Sequence, residues 1–373
     1  MNLPYSDELN IGCLSRLYDN TSNCYKFFWF LAILGKVDEG KESFTFDELI
    51  NEMIAYAWYM VTEYNLRLGP IGGIDNLEEV VKYIKETYGF SSSEKREKIL
   101  EFLNSSEDKT ISRYKSTLIL NVPYRLQAPF YLDVNIDNKE WSGSKEHLTH
   151  KINSQERLIY YFTLIAGIKS VVRVDETRAV YLVKHKEILK SWTQLNLIRY
   201  LQRRNPGVSG IADKIEVPTS RDLDKARKYW TLIISRDSSI RDIYGDIELV
   251  DEKISVDHFV PWQYVAHDEL WNLHPTTASI NSSKSNNLPI WDKYFDRLSN
   301  LEYRAYELME KDDPVKREFE KIAPYYLNDP AIRNSLYEQG LERSEFQNRL
   351  EHVMKPVYES AHDHGFREWE YCG

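Results

Sequence analysis

Apolar residues recur at helical spacing over most of the chain, and the exceptions fall in a few short stretches. The run CYKFFWFLAIL at 24–34 follows Asn20, Thr21 and Ser22, which can cap a helix, and precedes Gly35, which can end one. Thr45 and Glu48 form a T-x-x-E box ahead of Met53, Tyr56, Ala57, Met60 and Val61, so a second helix is predicted there. Ser92, Ser93 and Glu94 open a third helical pattern, EKREKILEFL. Residues 114–132, with Pro123 and Pro129, read as short extended segments between turns. Residues 156–168 read as a buried helix, and 170–183 as two β-rich runs around Asp175 and Glu176. Helical spacing returns at 186–201 through Ile188, Leu189, Trp192, Leu195 and Ile198, then stops at RRNPG. Beyond Trp291 three amphipathic patterns follow.

The expected fold class is therefore mainly α with a small embedded α+β module. The expected divisions are a helical region at 1–135, a mixed α/β linker region at 136–240, the module at 241–300 and a helical region at 301–373. A chain of 373 residues has room for two or three such bodies.

Charge changes this picture in one place. The formal net charge is −10, so the surface as a whole does not attract polyanions. Residues 182–241 are the exception, with 13 Lys or Arg against six Asp or Glu. Arg203, Arg204, Arg227 and Lys228 lie in this stretch and are the candidate contacts to nucleic-acid phosphates. The three cysteines, Cys13, Cys24 and Cys372, form no CxxC pair, so neither a structural zinc site nor a disulfide framework is expected. MNLPYSDELN has no basic start followed by an apolar run, and residues 25–34 are too short to span a bilayer. A cytoplasmic location with no membrane contact is the expectation.

The chemistry concentrates in SVDHFVPWQYVAHDELWNLHPTTASINSSKSNNLP, residues 255–289. A β-rich run holds Asp257 and His258 side by side, so a strand points them to opposite faces. A return strand is expected to begin with Asp268 to Leu273, so the two strands can pair. A short helix is expected from Thr277, which can cap it, with Pro289 beyond. The unit is strand, long loop, strand, helix. His258 is suited to take a proton from water, because its ordinary pKa lies near neutrality. Asp257 offers a carboxylate and Asn281 an amide oxygen, a donor set that suits Mg²⁺ completed by waters and substrate. Asn272 can tie the loop to the second strand. Lys284 follows Asn281 by three residues, on the same helix face, where it could meet a phosphate.

These residues resemble the HNH, or ββα-metal, endonuclease motif in the variant where Asn replaces the last His. The segment is especially similar to the HNH domain of RNA-guided CRISPR type II effector nucleases. There too an Asp-His pair precedes one Asn on the second strand, another on the helix, and a Lys-Ser soon after. The resemblance implies His258 as general base, Asp257 and Asn281 as metal ligands and Asn272 as the structural Asn. It also implies a DNA substrate and one Mg²⁺, with Mn²⁺ as the alternative and no zinc. It covers 35 of 373 residues, too few to include any guide-binding part. Many HNH proteins hold the fold with zinc-binding cysteine pairs; here DIYGDIELVDEKI stands at 242–254 instead. Packing by Tyr244, Ile247, Trp262 and Trp271 is expected to replace the zinc. His267 and His274 are read as supporting or surface groups, and His362 and His364 as a fraying helix end.

Stand-alone bacterial HNH proteins of this size resemble restriction-type or anti-phage defence effectors, which implies a regulatory or defence partner. YDNTSNCYKFFWFL at 18–31 resembles the N-terminal segment of some of them. The alternatives are an HNH-fold nucleic-acid-binding protein without cleavage, a mobile-element nuclease and an RNA-directed nuclease.

Overall fold

A computed structural model describes residues 3–70, 72–132, 134, 136–208, 210–216, 223–249, 254–265 and 267–373. Arg221 and Asp222 of the basic stretch, and residues 250–253 ahead of the motif, lie outside these. The chain is mostly helical and divides into two compact units. One is Met1–Pro206 with Ile215–Val217; the other is Gly207–Lys214 with Pro218–Gly373. The division falls inside the 136–240 segment and splits the basic stretch. Among the described residues no helix is long and apolar enough to cross a membrane.

In the first unit, the helix Tyr25–Asp38 is buried on nearly every side, as its unbroken apolar run requires. It continues past Gly35, where an end was expected. A Cβ at Gly35 would stand 3.1 Å from the Tyr56 hydroxyl, so glycine here serves a close helix approach and not a helix stop. Its start also differs: Cys24 is the cap residue, and no side chain caps it. The Phe46–Thr62 helix packs beside it and begins with the expected box. Glu48 N donates to Thr45 Oγ1 at 3.1 Å, and Thr45 N donates to Glu48 Oε2 at 2.8 Å. The helix Lys186–Arg204 also lies where helical spacing placed it.

Three expectations are overturned in this unit. Residues 114–132 are not extended. They belong to the helix Lys109–Leu118, the turn Val122–Arg125 and the 3₁₀ turn Ala128–Tyr131. Pro123 and Pro129 sit in first turns, where a missing N–H costs nothing. The expected buried helix at 156–168 contains a strand, Tyr161–Leu164, paired antiparallel with Val171–Arg173. That strand pairs in turn with Ser43–Thr45. The second β-rich run is a helix, Glu176–Lys184.

The second unit is built around an antiparallel hairpin of Ile254–His258 and Leu273–Thr277, followed directly by the helix Ala278–Lys284. The return strand starts later than expected, because Leu270–Asn272 form a 3₁₀ turn first. The helix Asp224–Arg236 backs the hairpin, and Trp230 Nε1 donates to Leu273 O at 3.0 Å. The helices Trp291–Lys311, Asp313–Tyr326, Pro330–Leu336 and Arg343–Asp363 complete the unit. Near the C-terminus Glu368–Trp369 pairs in parallel with Leu288–Pro289. Tyr244, Trp262 and Trp271 are buried as expected, but Ile247 is 37% exposed and adds little to the core.

Candidate active site on the hairpin and its helix

The hairpin register sets the site. Asp257 stands opposite His274, and His258 opposite Leu273, at the end of the first strand. Both Asp257 and His258 are buried, at 6% and 3% exposure. Thr277 starts the helix by accepting from Ile280 N at 3.3 Å, so the strand passes into the helix without a loop. This brings Asn281 and Lys284, one turn apart, against the first strand.

Asn281 Nδ2 donates to Ser255 Oγ at 2.8 Å, with Val256 O at 3.4 Å. That leaves its Oδ1 without a hydrogen-bond partner among the described residues. Asp257 Oδ2 is buried. Lys284 Nζ lies 3.1 Å from that oxygen and is its ion-pair partner. Its directed bond goes to His258 O at 2.7 Å. Lys284 has no exposed surface, and burial pushes its pKa down against the pull of Asp257. The expected phosphate contact from Lys284 is therefore not open to it in this arrangement. It stands under the site as a buried counter-charge.

Asn272 makes a two-point clamp across the loop. Val260 N donates to its Oδ1 at 2.8 Å, and its Nδ2 donates to Val260 O at 2.9 Å. Phe259 N donates to Asn272 O at 2.9 Å. The backbone leaving His258 is thus held at successive residues. Replacing Asn272 with Ala strands a buried N–H and a buried C=O, which costs about 2–4 kcal/mol. The expected result is a melting temperature lower by roughly 5–15 °C, together with slower cleavage. Thermal unfolding of Asn272→Ala checks it.

Asp268 was given no role by spacing, yet it holds the imidazole. His258 Nε2 and Asp268 Oδ1 are 2.8 Å apart. With Nε2–H donating to the carboxylate, the ring's lone pair is on Nδ1. The signal in the sequence was an acid ten residues after the histidine, in a loop where spacing does not predict direction. His274 is the other surprise. It is fully buried, neither ring nitrogen has a hydrogen-bond partner among the described residues, and burial pushes its pKa down to about 3. It is a neutral ring packed between Tyr244 and Phe259. Burial and the nearby Asp257 carboxylate push the Tyr244 phenol far up, so it too stays neutral. His267 Nδ1 lies 2.5 Å from Val265 O, and His364 Nδ1 lies 2.7 Å from Ser360 O, both local contacts.

The structure brings Asp257, His258, Asn272, Asn281 and Lys284 into one site. It does not bring the four basic candidates into one element. Arg227 and Lys228 are exposed on the Asp224–Arg236 helix of the same unit, with Arg227 paired to Asp224 at 2.7 Å. Arg203 and Arg204 end a helix of the other unit.

Among the described residues no three His, Cys, Asp or Glu gather into a metal cluster. The candidate donors are two oxygens, Asp257 Oδ2, which is paired with Lys284, and Asn281 Oδ1. Such a set fits a hard divalent cation that keeps several waters, and does not fit an all-protein cage. Residues 242–290 match the family model described as HNH endonuclease. No curated protein matches the chain. No solved structure matches it either.

Proposed function

We propose that the chain is a metal-dependent endonuclease that hydrolyses DNA phosphodiester bonds at the hairpin and helix of its second unit. The observation that carries this reading is a carboxylate-held His258 on the same short strand as Asp257, with Asn281 packed against that strand and its Oδ1 unbonded among the described residues. It lies within the span that matches the endonuclease family. In this reading His258 Nδ1 takes a proton from the attacking water, and Asp268 steadies the imidazolium that forms. Asp257 and Asn281 would hold Mg²⁺ or Mn²⁺. The bound cation supplies positive charge to the phosphate and the leaving oxygen. Asn272 fixes the loop that aims the imidazole. Arg227 and Lys228 contact phosphates beside the site, and Arg203 and Arg204 contact phosphates from the first unit. A restriction-type or defence role, with a partner that controls the site, rests on the resemblance to stand-alone bacterial HNH proteins.

One observation favours a second reading, a nucleic-acid-binding module without cleavage: Lys284 already neutralises Asp257. A single assay separates the two. Purified protein is incubated with supercoiled plasmid and Mg²⁺, with and without EDTA. Nicked circles that appear only with the cation, and return when excess Mg²⁺ is added back, are expected. Full activity in EDTA, with no copurified metal, would sink the metal mechanism. Tight binding without cleavage of DNA or RNA would favour the second reading.

A further inference from the structure

The first unit carries a cleft lined in part by Arg203 and Arg204, to which the nuclease reading assigns phosphate contacts but no defined site. It encloses about 1230 Å³ between the 18–26 turn, residues 121–128 and the end of the Lys186–Arg204 helix. Lys26, Arg125, Arg203 and Arg204 line it. The acid on its wall is Asp19, which is paired with Arg16 at 3.3 Å. None of the four cations forms an ion pair among the described residues.

Their bonds go to neutral acceptors. Lys26 Nζ donates to Leu17 O at 3.2 Å and Asn20 O at 2.9 Å. Arg204 Nη2 donates to Ser22 O at 2.9 Å while the guanidinium lies 4.9 Å from the Tyr200 ring centre. Arg125 stacks on Trp141 at 4.2 Å. These contacts fix direction and leave the charge in place. Burial pushes the Lys26 pKa down, and the Arg125 charge adds to that while Asp19 opposes it. Charge balance alone does not produce this in a chain of net charge −10. Two bases elsewhere in the unit are paired, Lys186 with Asp38 and Lys190 with Glu216.

Four like charges in one concavity repel each other until an anion enters. Three are arginines, whose planar fork suits phosphate oxygens. The volume is above the usual range of roughly 300–1,000 Å³ for small-ligand pockets, so more than one phosphate fits. We propose that this cleft binds a nucleotide ligand carrying two or more phosphates or phosphodiesters, supplied either as a free nucleotide or as a short single strand. The inference extends the phosphate contacts proposed for Arg203 and Arg204 to a defined site, and it does not require the nuclease chemistry of the other unit.

The test uses the full chain in EDTA, so that binding is read without cleavage. ATP is titrated by calorimetry, and a labelled short oligothymidylate by fluorescence anisotropy. At least one is expected to bind, and the double variant Arg125→Glu/Arg203→Glu to weaken it by more than about tenfold. The double variant should also reduce the salt slope of strand binding by roughly one to two. Lys169→Glu, an exposed base in the same unit, controls for general charge and should bind as the parent does. Displacement of the strand by ATP assigns the site to a free nucleotide; failure to displace assigns it to a strand. Arg125→Gln/Arg203→Gln, a milder change, decides the matter if the Glu variant does not fold, and should show a smaller loss in the same direction. Binding of neither probe by the parent, or equal binding by parent and variants, overturns the proposal. Either result leaves the plasmid assay to judge the nuclease reading separately.

Discussion

His258→Ala is expected to slow plasmid cleavage by roughly 10²–10⁴-fold while leaving the fold in place. The size follows from what the imidazole does in the proposed reaction. Without it water must lose its proton to bulk solvent, and neither nearby histidine can substitute. His274 is the nearest alternative on the partner strand, but it is fully buried and held neutral, with a pKa pushed down to about 3. His267 is turned to a backbone carbonyl. Asp268→Asn should cost less than His258→Ala, because it weakens the hold on the ring without removing the base. The measurement is the initial rate of nicking at fixed Mg²⁺, with far-ultraviolet circular dichroism and a melting curve to confirm folding. Cleavage at the parent rate by a folded His258→Ala protein would remove His258 from the mechanism.

Much of this site was legible because local spacing carries it. Asp257 and His258 adjoin in a β-rich run, and a capping Thr opens a helix four residues before Asn281. Asn272 could be assigned a clamping role from its side chain alone, since one amide can both donate to and accept from a facing backbone. Lys284 shows where this reasoning stops. A three-residue offset from Asn281 says that the two share a helix face, but not whether that face meets solvent or the strand. The face meets the strand, so Lys284 is buried. Asp268 was missed for a related reason: its direction depends on how the loop between the strands closes. The same limit applied to the fold. The Thr45–Glu48 box was readable because both partners lie within one turn. The apolar run at 156–168 was not, because a short run without clear period fits a strand or a buried helix equally. Its identity as a strand is decided by Val171–Arg173 and Ser43–Thr45, the latter more than a hundred residues away in sequence. The basic stretch looked continuous in sequence, yet the chain changes unit inside it.

Lys284→Ala should damage stability more than any other single change at the site. The substitution leaves the Asp257 carboxylate buried with no opposing charge and leaves His258 O without its donor. Breaking a buried pair by removing one partner costs about 3–5 kcal/mol. That is a large share of the roughly 5–15 kcal/mol that holds a typical domain folded. The expected result is a melting temperature lower by about 6–20 °C or a failure to fold. Lys284→Arg should not restore the parent, because a planar guanidinium does not fit a site shaped around an ammonium with no exposed surface. The companion change separates this account from a phosphate-binding role. Asp257→Asn with Lys284→Met removes both charges and should regain much of the lost stability, since a buried pair can be replaced by uncharged groups of similar size at little cost. Cleavage should not return with it, because the carboxylate oxygen offered to the cation is gone. A lysine that met substrate would behave in the opposite way. Lys284→Ala would then melt like the parent, KM would rise, and the salt dependence of DNA binding would flatten by about one unit of slope. Parent-like melting of Lys284→Ala would refute the buried-counter-charge account and return the residue to the substrate face.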